Sequence, residues 1–128
     1  MFTVEQAAAL YGVPLIDYGP DRGRGVLVAS GAGIMMAVMD YCAELRWAVD
    51  YDGLPRSARI ADFMLVAERA SSIVAVCGWF SYTDPAELRE AITAMVERPP
   101  IVYGGNVRLT DRPWEPTSLQ SFLELLPL

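Results

Sequence analysis

The segment Val26-Leu27-Val28-Ala29-Ser30-Gly31-Ala32-Gly33 reads as a strand that runs through a glycine turn into a helix. Asp50 and Asp52 follow about twenty residues on, which completes the outline of a dinucleotide-binding fingerprint. In such a site Gly31 and Gly33 let the backbone approach a phosphate, and the helix N-terminus stabilises its charge. Asp50 or Asp52 would then hold a ribose hydroxyl or, with water and phosphate, a Mg²⁺ ion. Two features stand against this chemistry. Met36 occupies the third glycine position, where helix and strand need close packing. The residues before Gly25 also read as a hairpin partner, which is not how a first parallel strand begins. A small nucleotide- or phosphate-binding domain is therefore the alternative reading.

The leading reading rests on Arg112-Pro113-Trp114-Glu115-Pro116, a proline-braced loop. Trp and Arg are the residue types most enriched at the centres of protein interfaces. Trp114 and Arg112 are expected to anchor a protein partner, with Glu115 on the rim; the other reading of Trp114 is a large aromatic folded back over the core. Arg22-Gly23-Arg24-Gly25 places two guanidiniums on a hairpin loop, where Arg22 and Arg24 would clamp a carboxylate or phosphate as a second contact.

What the chain lacks narrows the rest. It has no histidine and no lysine, so all ten basic side chains are arginine. No imidazole is present to act as general base or metal ligand, and no amine to form a Schiff base or bind a P-loop phosphate. We expect no catalytic residue, no metal site and no cofactor. Cys42 and Cys77 are not in a C-x-x-C pair and read as two buried, reduced thiols, although spacing alone leaves a disulfide open. Net charge is −6, which disfavours direct contact with nucleic acid. The opening residues Phe2 to Val13 resemble the first helix and turn of an excisionase-type helix-turn-helix. Pro14-Leu15-Ile16-Asp17-Tyr18-Gly19-Pro20 then stands where a recognition helix would follow, so DNA recognition is not expected.

These residues must be positioned by one domain spanning 1–128, with 53% apolar residues to build its core. Thr3 and Gln6 form a capping-box pair that opens a short helix ended by Gly12 and Pro14. Leu15 to Tyr18 and Gly25 to Ala29 read as a hairpin. A helix is expected from about Ile34 to Trp47, a turn at Asp50 to Pro55, and a helix from about Ser57 to Ala70, on which Arg59 and Asp62 are close enough to pair. Ser72 to Phe80 reads as a central strand covered on both faces. Asp84-Pro85-Ala86-Glu87 reads as a helix start with Asp84 as N-cap. Ile101 to Tyr103 and Val107 to Thr110 suggest another hairpin, and Thr117 with Gln120 a cap for the last helix. The expected fold is α+β: a small, mainly antiparallel sheet with helices packed on one side.

No uncharged run approaches the ~20 apolar residues of a membrane span, and the first residues lack the pattern of a signal peptide. A cytoplasmic, non-catalytic interaction domain follows as the expectation. Roles in that class include an inhibitor or immunity-type protein, an accessory subunit, or a component of a phage-like particle. A homodimer is also expected, as a way to cover surplus apolar surface.

Overall fold

Gly25–Ser30 forms strand β2, in which every residue is buried. A strand with no exposed face needs covering layers above and below and hydrogen-bonded neighbours on both edges, the setting of a parallel sheet. The computed structural model, which describes residues 2–80 and 85–127, supplies that setting. Strand β3 (Leu45–Asp50) lies parallel to β2 on one edge, and β4 (Val74–Gly78) lies parallel to it on the other. Strand β5 (Ile101–Tyr103) extends the sheet in parallel beyond β4. Only the two-residue β1 (Ile16–Asp17) is antiparallel, along the outer edge of β3. The result is a small α+β domain with a five-stranded mixed sheet of order β1-β3-β2-β4-β5.

Helices cover both faces. Val26, Val28, Val74, Val76 and Val102 point to one side. There they meet α1 (Val4–Tyr11), α3 (Ile60–Ala70) and α4 (Ala86–Ala94) through residues such as Ala7, Phe63 and Leu88. Leu27, Ala29, Ala75, Cys77 and Tyr103 point to the other. Their cover is α2 (Ala32–Tyr41) and α5 (Leu119–Leu125), through Val38, Met39 and Phe122. Each fully buried Val or Leu of β2 contributes about 1.5–3 kcal/mol of burial free energy.

The general class expected from sequence stands, but the strand directions and the one-sided packing do not. Residues 45–47, expected as the end of a helix, belong to β3, which runs on to Asp50, expected as the start of a turn. The helix stops at Tyr41 because Cys42 is extended (φ −123°, ψ 102°) and the Arg22 guanidinium takes up the carbonyls of Met39 and Cys42. The pairing slips between Gly25↔Leu45 and Val26↔Trp47, leaving Arg46 as an extra residue. That bulge sends Leu45 into one core and Trp47 into the other, which hid the strand's alternation. Neither expected hairpin forms. β1 pairs with β3 instead of β2, and β5 with β4 instead of Val107–Thr110, because the buried central strands take their neighbours in parallel.

The local signals fared better. Thr3 and Gln6 make both bonds of the capping box, at 3.0 and 3.1 Å. Arg59 and Asp62 pair at 2.7 Å on α3. Ser118, one residue beyond the expected Thr117, caps α5 by accepting from the Ser121 N–H. Asp84, the expected cap of α4, lies outside the described residues. Among the described residues no helix is long and apolar enough to cross a membrane.

Beside its backbone pairing with β3, β1 carries a bidentate pair in which Arg46 Nε and Nη2 donate to the Asp17 carboxylate, both at 2.9 Å. The Arg46 hydrogen bonds hold the Asp17 carboxyl down to about 2, below its usual 3.8. A depressed carboxylate stabilises the fold at pH above its unfolded value and loses that contribution as pH falls through the folded one. Lowering the pH from 4 to 2 should therefore reduce the protection of the Tyr18 amide, its exchange measured against the intrinsic rate at the same pH; this N–H donates to Arg46 O across the edge. The D17N variant should show low protection at both pH values. Unchanged protection of Tyr18 in the wild type would show that the pair does not hold the edge.

Candidate functional site

The loop from Arg108 to Pro116 is assembled around the Glu115 carboxylate. It accepts the Leu109 N–H at 2.9 Å, the Thr110 N–H at 2.7 Å and the Thr110 hydroxyl at 2.6 Å. The same hydroxyl oxygen accepts the Arg112 N–H at 3.1 Å. Arg112 in turn reaches Pro100 O through Nη1 at 3.2 Å, and its carbonyl accepts from Arg108 Nη2 and the Glu115 N–H. Leu109 is buried in the core and fixes the loop to the body of the domain. At the tip, Trp114 is 60% exposed, with the Arg112 guanidinium 5.1 Å from its ring centroid. Trp114 and Arg112 are thus brought together as expected from sequence.

Glu115 is not a rim residue. It is buried, and a buried carboxylate is tolerated only when donors surround it. Its neighbour Trp114 points outward because Glu115 points in.

Arg22 and Arg24 are not free anion clamps either. Arg22 donates to Leu45 O at 2.7 Å and Cys42 O at 3.0 Å, and also to Met39 O. Arg24 donates to Ala70 O at 3.1 Å. Both close the C-terminal ends of helices, α2 and α3, where unpaired carbonyls and the negative end of the dipole favour a cation. Composition alone could not show this, since those helix ends meet the loop only in the folded sheet.

The second candidate lies at the carboxyl ends of the parallel strands. Connections leave β2 toward β3 over one face (α2) and β3 toward β4 over the other (α3). The carboxyl ends of β2 and β4 therefore flank a switch point of the topology, the place where open sheets of this kind bind ligands. Gly31, with φ 106° in a region that favours glycine, starts α2 without a side-chain cap. No described residue comes within 4 Å of the position a Cβ would take on Gly33. The Ser30 hydroxyl donates to Asp52 at 2.9 Å, and the Asp50 carboxylate accepts the Asp52 N–H at 3.2 Å in the short 3₁₀ turn after β3. So Gly31, Asp50 and Asp52 share one end of the sheet.

Both objections raised by the sequence are removed. β2 is a parallel strand, and Met36 is 57% exposed rather than wedged between helix and sheet. Trp79 and Tyr103, at the ends of β4 and β5, meet edge to face at 6.2 Å on the same side. Trp79 falls within the run from Ser72 to Phe80 expected as a covered central strand; it is exposed because β4 ends one residue earlier, at Gly78. A Cβ on Gly78 would come within 2.7 Å of Ser30, so the two strand ends approach as closely as glycine permits. Among the described residues no group of three or more metal-ligating side chains exists.

Both cysteines are buried and free, as expected. Burial pushes the Cys77 thiol up to about 12 from its usual 9.0, which removes it as a nucleophile at neutral pH. The Cys42 thiol donates to Pro127 O at 3.1 Å. No family model, curated protein or solved structure matches the chain.

Two outcomes follow. Glu115→Ala should destabilise the domain by about 2–4 kcal/mol in urea denaturation, because it strands the buried Leu109 N–H and the two part-buried donors of Thr110. A change under about 0.5 kcal/mol would refute the bracing role. Raising pH from 9 to 12 should also erode stability, since the unfolded thiol ionises near 9.0 while buried Cys77 resists until about 12. C77A should flatten that slope, and an equal slope in wild type and variant would assign it elsewhere.

Proposed function

We propose that the chain acts as a non-catalytic protein-interaction domain, with Trp114 as its anchor and Arg112 beside it. The observation that supports this reading is a large exposed indole on a loop already fixed by a buried carboxylate. Ordering a loop on binding costs affinity, and a loop ordered beforehand avoids that cost. An exposed aromatic that contributes little to the fold is also what a partner pocket recognises. A basic partner surface fits best, given the net charge of −6.

Trp114→Ala should leave stability within about 0.5 kcal/mol of wild type. It should weaken capture of the native partner from cell extract by about 2 kcal/mol or more, roughly thirtyfold. If the substitution unfolds the domain, Trp114 is core. If it folds normally and binds its partner as well as wild type, the anchor is elsewhere.

The switch point supports a second reading, a small phosphate-bearing ligand over Gly31 and Gly33 with Asp50 or Asp52 near its sugar. What favours it is the parallel β2–α2–β3 unit, which places a glycine-opened helix N-terminus and an acid at one sheet end. Under this reading ATP, NAD or FAD at millimolar concentration raises the melting temperature, and Gly33→Asp abolishes the rise through like-charge repulsion. No shift with any of the three would end it.

A further inference from the structure

Beside α3 and the end of α4 runs a groove of about 470 Å³ whose apolar lining is Phe2, Leu65, Val66, Ala70, Ala94 and Val96. Phe2 and Leu65 are exposed, and Val96 is 76% exposed, standing proud of the surface at the groove's edge. Burying such side chains is favourable, and among the described residues of a single chain none does so. A small molecule is a poor occupant. Ligand pockets enclose most of the ligand's surface, whereas this lining lies open to solvent.

The charges around the groove distinguish among larger occupants. Arg69 and Glu97 flank it as a bidentate pair, at 2.9 and 3.1 Å. Glu68 lines it and accepts the Arg98 N–H at 2.9 Å. A contiguous cleft shares Phe2, Arg69 and Ala70 and adds Arg24 and Arg98, with Glu44 bound to its Ser72 hydroxyl at 2.6 Å. Here three arginines offset three glutamates, while the chain as a whole carries −6. Two copies of so acidic a chain repel each other over most orientations, and least where the signs cancel. A two-fold interface must also be self-complementary: each feature on one protomer needs its counterpart on the same patch. This face meets both conditions, with a protruding Val96 beside a groove and an arginine beside a glutamate.

We propose that a second copy of the chain docks here about a two-fold axis. Val96 of each protomer seats in the other's groove, and Arg69 of each faces Glu97 of the other. The docking face is separate in sequence from the Trp114 loop, and Trp114→Ala leaves the dimer intact.

Sedimentation velocity over a concentration series tests the proposal. The wild type is expected to show a reversible monomer–dimer equilibrium. Arg69→Glu and Glu97→Arg should each weaken it about tenfold or more, because like charges then meet across the axis. Mixing the two variants should restore association as a heterodimer, since an all-acidic pair then faces an all-basic one. A role confined to the pair within one chain gains nothing from mixing. Val96→Asp should abolish the dimer while leaving the melting temperature of the monomer unchanged. A chain that stays monomeric throughout the series overturns the proposal. So does a dimer that tolerates Val96→Asp, or a mixture that associates no better than either variant alone.

Discussion

Burying Val26, Leu27, Val28 and Ala29 on both faces obliges β2 to take its hydrogen bonds from neighbours on either edge, and here both run parallel to it. Parallel neighbours cannot be joined by tight turns, so each connection must cross a face of the sheet, and the helices α2, α3 and α4 are those crossings. With crossings on both faces, two separate cores form back to back across a single layer of strands. Each helix then ends near the amino end of the next strand, which collects helix C-termini at one end of the sheet.

That arrangement accounts for much of the arginine. Unpaired carbonyls and the negative ends of helix dipoles gather at the strand entrances, and a guanidinium can bond several carbonyls at once without losing its charge. Arg22 closes α2 ahead of β3, while Arg24 and Arg98 bond Ala70 and Ser71 between α3 and β4. Arg112 bonds Pro100 ahead of β5. The basic residues that looked most available for an external anion are thus committed to the junctions of the fold. The opposite end of the sheet, where the strands finish, is left with glycines, Ser30, Asp50 and Asp52 and exposed Trp79.

The two candidate sites differ in how they are built. Trp114 is exposed because its neighbour is buried: Glu115 takes the inward direction and satisfies three donors, so the loop cannot turn the indole inward without stranding them. The switch point depends on no single side chain. It comes from the reversal of crossing direction at β2, and its glycines serve by leaving the backbone accessible. The self-docking face depends on neither, being the flank of α3 that no other element covers.

Features governed by neighbouring residues were legible in the chain. The Thr3–Gln6 capping box, the Arg59–Asp62 pair, the turn after Asp50 and the buried run of β4 follow from interactions within a few positions, where residue types decide the geometry. The pairing of Trp114 with Arg112 falls in the same class. Strand direction, the identity of residues 45–50 and the burial of Glu115 were decided by tertiary structure. An apolar run such as β2 satisfies parallel and antiparallel neighbours alike, and a bulge at Arg46 erased the alternation that marks a strand. Whether a charged side chain faces water or folds inward depends on donors and carbonyls that only the completed sheet brings within reach. For Glu115, Arg22 and Arg24 that choice was made by the fold.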